Sequence, residues 1–323
     1  MIAKRIVLLG CFAAGLVLSA RCEATAQSYP QRTITLIVPL AAGGAVDVLC
    51  RQVAEKLRNV MGQQVIIENR PGAGGNIGAE AIAKAAGDGH TLLCAPSTIF
   101  TNHLLYSKLP FDPRAFEPVN VFVTIWMGVY SREDLRADNV TEVFALARTQ
   151  PGKLNWASPG VGTFSHLMLE ALKAAGNVDM MHVPYRLGTQ ALSDLLSGQM
   201  HLYAGTIAGG VSYLRTGKLK LLSVTARDRL ASFPNVPALR ETVPGLVADD
   251  WAAIAAPPGT PVDIRAKLSD AITKAVAMPD VAARFAELQT EPLGTTPAQM
   301  RDVLRRTTEQ WAGIIAKAKI SLD

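Results

Sequence analysis

The apolar positions of this chain fall into short β-branched runs and longer stretches of helical period. Residues 33–38, Thr-Ile-Thr-Leu-Ile-Val, predict a strand. Val46, Leu49, Val53, Leu57 and Val60 then recur at steps of three and four, the period of one helix face. Between them lies Pro-Leu-Ala-Ala-Gly-Gly-Ala-Val-Asp at 39–47, where nothing before Asp47 is longer than Leu40. The same succession returns downstream. Residues 154–157 predict a strand, Ser158-Pro159-Gly160-Val161-Gly162-Thr163 a small-residue loop, and Phe164, Leu167, Met168, Ala171 and Leu172 one face of a helix.

Other elements fill the intervals. Strands are expected at 64–69, 91–95, 180–184, 200–204, 219–225 and 247–256, and one long strand at 119–130 that passes from one domain to the next. Helices are expected from the Gly-rich turn at 70–78 to Ala86, and at 140–148, 189–197 and 207–215. The chain after Pro261 reads as helices broken at Pro279 and at 292–297. Strand and helix in alternation argue for an α/β protein. The expected fold has two domains, each a mostly parallel sheet flanked by helices, with a ligand cleft between them. The first domain takes 27–124 and 255–323, the second 125–254.

A strand, a glycine turn and a helix N-terminus make an anion seat, because the first amides of the helix lack partners and point at the loop. Gly43 and Gly44 allow a sharp turn and close approach of a guest. Two such seats, one per domain, suit a carboxylate held by backbone N–H groups, and neither loop carries a basic side chain. The first is not a nucleotide loop, since neither Gly-Lys-Ser/Thr nor G-x-G-x-x-G is present in it. Asp47 falls in the first helical turn, either to hold a water, amine or hydroxyl or simply to complement the helix dipole.

Composition narrows the setting. The 323 residues are 49% apolar and 18% charged, enough for a large core and room for two domains. Net charge is +5, of which Lys4, Arg5, Arg21 and Glu23 account for +2 within the first 26 residues. No Lys/Arg run occurs, so no nucleic-acid partner is expected. Residues 1–26 form an export signal: a basic start, an apolar run at 6–18 and a small-x-small site before Gln27, with cleavage near Ala26. Localisation in the periplasm follows. Cys50 and Cys94 remain after cleavage and are expected as two buried free thiols. No histidine pair has metal spacing, and no metal or cofactor is expected. His166 is expected to cap its helix or touch a ligand. A hydrolase built on Ser158 and His166 is the remote alternative, because no G-x-S-x-G elbow accompanies them. Trp126 and Trp156 fall near the cleft in this reading, and Trp251 in a hinge strand.

Seven segments resemble, in order, the signatures of the extracytoplasmic receptors of tripartite tricarboxylate transporters, the Bug receptors. They are PLAAGGAVD at 39–47, IENRPGAGGNIG at 67–78, DGHTL at 88–92, SPGVGT at 158–163 with His166, VPYR at 183–186, DLLSGQ at 194–199 and APPGTP at 256–261. The resemblance implies a non-enzymatic, Venus-flytrap periplasmic binding protein, a monomer that closes on a small organic carboxylate and delivers it to membrane permease subunits. A sensor partner of a membrane histidine kinase is the alternative role for the same fold. Carried over residue by residue, the first ligand loop is Leu40, Ala41, Ala42, Gly43 and Gly44 with Asp47. The second is Ser158, Gly160, Val161, Gly162 and Thr163 with His166 behind it, and Ser97 lines the first domain's wall. Three positions depart from the family pattern: Val46 replaces a hydroxyl residue, Leu187 interrupts a Tyr-basic-Gly run, and Gly205 stands where Asp is common. The lost acid at 205 argues against a ligand bearing an amino group.

Overall fold

The structure is a computed structural model that describes residues 29–322 except 249 and 319. The export signal expected over 1–26 lies outside the described residues. From Arg32 onward the chain forms one compact unit built on two sheets. The first part of the chain runs β1 (Ile34–Val38), α1 (Ala45–Met61), β2 (Val65–Asn69), α2 (Asn76–Ala83), β3 (Thr91–Pro96), α3 (Ser97–Thr101) and β4 (Glu117–Ile125). The middle runs β5 (Met127–Arg132), α4 (Val140–Thr149), β6 (Asn155–Ser158), α5 (Phe164–Gly176), β7 (Met181–Pro184), α6 (Gly188–Leu196), β8 (Leu202–Thr206), α7 (Ile207–Arg215), β9 (Leu219–Val224) and α8 (Leu239–Thr242). The last part is β10 (Asp250–Ala256), α9 (Val262–Val276), α10 (Pro279–Glu287), β11 (Thr290–Pro292) and α11 (Pro297–Ala318).

The six-stranded sheet has the order β11-β4-β10-β3-β1-β2, and the five-stranded sheet β7-β6-β8-β5-β9. Among the named strands, the parallel pairs are β1 with β2 and β3, and β6 with β7 and β8. The strands joined by crossover helices are thus the parallel ones. β10 and β5 pair antiparallel with both neighbours, and β11 with β4, so the sheets are mixed rather than mostly parallel.

The single strand expected at 119–130 is two. β4 ends at Ile125 in the first sheet and β5 starts at Met127 in the second, with the half-buried Trp126 between. The Trp126 carbonyl accepts from the Ile207 amide at 2.9 Å, so its backbone turns toward α7 instead of continuing the β4 ladder. The chain returns through 225–249, and β10 pairs in the first sheet from Asp250 onward.

Each sheet has its own core. Ile37, Leu93, Phe100, Val121 and Trp251 meet α2 and Met300 of α11 in one, while Tyr130, Ala157, Leu195, Tyr203 and Ile207 meet in the other. A fully buried Leu or Ile contributes about 1.5–3 kcal/mol, which is why runs such as β1 specify these centres. Trp156 and Trp251 are core residues, 0% and 5% exposed.

A disulfide braces the first half, and one helix links the two. Cys50 on α1 and Cys94 on β3 form a disulfide, Cα–Cα 6.3 Å, correcting the expectation of free thiols. Helix α1 crosses β3 closely enough to bring the two sulfurs together, a proximity that the 44-residue separation does not reveal. Helix α11 serves both sheets: Trp251 Nε1 donates to Thr307 Oγ1 at 3.1 Å, and Trp311 meets Phe164 of α5 edge to face with ring centres 5.8 Å apart.

Candidate functional site

Because β1, β2 and β3 run parallel, the loops after them emerge at one edge of the first sheet. The loops after β6, β7 and β8 share one edge of the second. The two edges approach each other. A Cβ placed on Gly74, beyond β2, would lie 3.5 Å from the Val161 carbonyl oxygen beyond β6, and 3.2 Å from the Tyr106 hydroxyl. The Tyr106 hydroxyl would likewise lie 3.3 Å from a Cβ on Gly162. Loop edges of parallel strands, opposed in this way, are where α/β proteins hold ligands.

The first seat is held open by Asp47. Its carboxylate is 2% exposed. Oδ2 accepts from the Gly43 amide and from Arg51 Nε, each at 2.9 Å, and Oδ1 accepts from Asn69 Nδ2 at 2.9 Å. Asn69 Nδ2 also donates to the Leu40 carbonyl at 3.1 Å, and Arg51 reaches Asn69 Oδ1 at 2.9 Å. Burial alone would raise the Asp47 pKa, but the hydrogen bonds from Arg51, Gly43 and Asn69 together outweigh it and hold the carboxyl below its usual value. Each Asp47 oxygen accepts from the protein and the carboxylate is buried, so the residue fixes the shape of the loop. Gly43 has φ +81°, and a Cβ there would meet nothing within 4 Å, so the turn faces open space. The amides of Gly44, Ala45 and Val46 find no acceptor among the described residues, as expected at a helix start. Gly44 is the N-cap of α1 and offers no side-chain cap.

The second seat repeats this with different chemistry. His166 Nδ1 accepts from the Gly162 amide at 3.2 Å, the position that Asp47 fills for Gly43. Ser158 Oγ lies 3.1 Å from both the amide and the carbonyl of Gly160, and 2.6 Å from His182 Nε2. The His182 and His166 rings stack with centres 4.1 Å apart. Burial, then the neighbouring His166, push the His182 pKa down to about 4; burial lowers His166 as well. Both rings are therefore neutral near pH 7, which leaves His166 Nδ1 able to accept. Thr163 Oγ1 donates to the Gly160 carbonyl at 2.7 Å and does not cap its helix. The amides of Val161, Phe164 and Ser165 find no acceptor among the described residues. Val161 itself is 46% exposed at the mouth.

Two expectations change. Ser97 opens α3 but is 0% exposed, and its hydroxyl donates to Asp250 Oδ1 at 2.7 Å, so the side chain ties β10 to the first sheet instead of lining an open wall. The Ser158/His166 pairing of the hydrolase alternative is replaced: His182 meets the hydroxyl, and Ser158 is 0% exposed. A nucleophile needs a basic partner and access, and this serine has a partner with a depressed pKa and no access. Asn69, Arg51 and His182 complete the seats and were not foreseen. Only Arg51, four residues after Asp47 on one helix, left a local signal. Among the described residues no group of three or more His, Cys, Asp or Glu is placed to hold a metal, and no helix is long and apolar enough to cross a membrane.

Residues 49–320 match the family described as the tripartite tricarboxylate transporter family receptor. The chain is 34% identical over 325 residues to a UPF0065 protein in the tcbD-tcbE intergenic region of Pseudomonas sp. (strain P51), covering 100% of this chain and 96% of that relative. The solved structure of the periplasmic binding protein BugD superposes with a TM-score of 0.83 at 30% identity, covering 91% of this chain and 99% of that one. The Rpa4515 protein of R. palustris, solved with adipate, gives a TM-score of 0.84 at 30% identity with the same coverage.

Proposed function

This chain belongs to the tripartite tricarboxylate transporter receptor family, and from that premise we propose that it captures a small organic carboxylate between its two lobes and delivers it to the permease subunits of a tripartite transporter. The observation that carries the reading is the pair of opposed loops. Each presents free amides at a helix start, and each has its shape fixed by a buried acceptor on the first turn of that helix, Asp47 or His166. A carboxylate bridging them would gain charge-assisted bonds from backbone donors that need no reorganisation. Ligand contacts are assigned to Leu40, Ala41, Ala42, Gly44, Val161 and Thr163, with Gly43, Gly160 and Gly162 supplying the turns. Asp47, Ser158 and His166 support those loops from behind. Adipate in the related R. palustris protein agrees with this ligand class. The lobes divide as residues 32–125 with the chain from Asp250, and residues 126–248. The protein acts as a monomer in the periplasm after removal of residues 1–26.

Native mass spectrometry of protein purified from the periplasm, with identification of what denaturation releases, tests the proposal. Release of a small carboxylate is the expected result. Titration calorimetry of the stripped protein against di- and tricarboxylates and aromatic acids completes it. Absence of heat with every anion overturns the reading.

A further inference from the structure

Gly162, the glycine whose amide His166 holds, is also met from outside its own lobe. A Cβ there would lie 3.0 Å from Leu322 Cδ1 and 3.3 Å from the Tyr106 hydroxyl oxygen. Its φ of +77° favours glycine, and any side chain would press on both neighbours. The same hydroxyl would lie 3.2 Å from a Cβ on Gly74. It therefore stands against two glycines at once, one in the turn after β2 and one in the loop after β6.

Tyr106 is mounted on the first lobe. It follows α3, and its amide donates to the Asn102 carbonyl at 3.2 Å, beside the Leu105 amide at 2.9 Å. The Asn102 side chain, 2% exposed, donates to Asn76 Oδ1 at 2.6 Å, and Asn76 opens α2 just after Gly74. Turn and tyrosine are thus joined within the first lobe, and the tyrosine reaches a loop of the second. Leu322 arrives from another segment. Residues 320–322 follow α11, and the Leu322 amide donates to the Leu105 carbonyl at 3.0 Å. That bond ties the segment to the base of Tyr106 and sets the Leu322 side chain against Gly162.

We propose that Tyr106 is a positioning residue for the second ligand loop, supported by Leu322, so that the first lobe sets where Gly162 stands. The proposal rests on the receptor reading above for the use of that loop. The contact favours the near arrangement of the two loops and is lost when they part. It is the same whatever the solute. Its removal lowers the fraction of protein competent to bind, which scales every affinity by one factor and leaves their order unchanged. A side chain that touched the solute would alter the order instead.

The test is amide hydrogen exchange read by mass spectrometry on the mature protein without added ligand, its disulfide intact. Wild type is compared with Tyr106→Ala and Leu322→Ala. Residues 158–163 are expected to exchange about fourfold faster or more in each variant, the worth of one methylene group taken from water. Residues 40–47 are expected to keep the wild-type rate, since Asp47, Arg51 and Asn69 fix that loop from within the first lobe. Wild-type exchange at 158–163 in Tyr106→Ala overturns the proposal. So does equal acceleration of both loops, which is general loosening. Should Tyr106→Ala fail to fold, Leu322→Ala, on a different segment, decides by the same comparison. Calorimetry across di- and tricarboxylates and aromatic acids, succinate, citrate and benzoate among them, gives a second readout. Each variant is expected to weaken every acid that binds by one common factor of about fourfold or more. A factor that differs between acids makes Tyr106 a ligand contact and overturns its positioning role. A wild type that binds no acid of the panel overturns the receptor reading, and the exchange comparison still decides what holds the loop.

Discussion

Replacing Asp250 by Asn should remove a pH dependence that can be worked from the structure. Asp250 opens β10, where the chain re-enters the first sheet, and is 6% exposed. Burial raises its pKa to about 6 from an ordinary 3.8, against the opposing hydrogen bonds from Ser97 and the Trp251 amide. Folding therefore favours the neutral carboxyl by about 3 kcal/mol. That contribution is fully present below pH 3.8 and is lost as pH rises through about 6. About 2.5 kcal/mol of it falls between pH 4 and pH 8. Asn does not ionise but still offers an oxygen to Ser97 and Trp251, so its own cost or gain is constant with pH. Urea unfolding followed by tryptophan fluorescence, on wild type and Asp250→Asn at both pH values, isolates the group, since every other titration is common to the two proteins. The variant's stability relative to wild type should rise by about 2.5 kcal/mol from pH 4 to pH 8. Parallel profiles would refute the reasoning.

The Cys50–Cys94 bridge closes a 44-residue separation. Its removal in Cys50→Ala/Cys94→Ala should cost up to about 4 kcal/mol by the chain-entropy estimate, read as a lower denaturation midpoint. His182 should titrate by NMR near pH 4; its lowered pKa adds stability that is fully present above pH 6.5 and lost as pH falls through about 4. A ring that titrates near 6.5 would break the account of the second seat. Gly43→Val forces a β-branched residue to φ +81°, a strain of about 1–2 kcal/mol, while its Cβ meets no protein atom within 4 Å. The fold should persist by circular dichroism while carboxylate binding is lost by calorimetry, and retained affinity would place the ligand elsewhere.

What the sequence revealed was local. The two seats were legible because strand, glycine turn and helix are contiguous and each leaves its own period. The residues that fix the seats were not, because they arrive from other elements. Asn69 comes from the next strand to lock Asp47, and His182 from β7 to meet Ser158. Ser97 was misplaced for the same reason: its partner Asp250 is 153 residues away, and a serine after a strand reads as open until that partner is known. The break at Trp126 was hidden because β4 and β5 are both buried runs with no polar residue to separate them. The absent acid at 205 was visible in the sequence, but that the Tyr203 ring fills the space a side chain would take there is a matter of rotamer and stacking.

Helix α11 has a mechanical consequence. Two backbone crossings, at Trp126 and through 225–249, would work like the pins of a door and leave one swing almost free. A stiff rod fastened to both leaves removes that freedom, because the rod must bend or a fastening must slip. Here the fastenings are Thr307 on Trp251 and Trp311 on Phe164, about one helical turn apart. A closure of the two leaves on a solute would have to work against that rod, and its stiffness would then enter the affinity measured at the mouth.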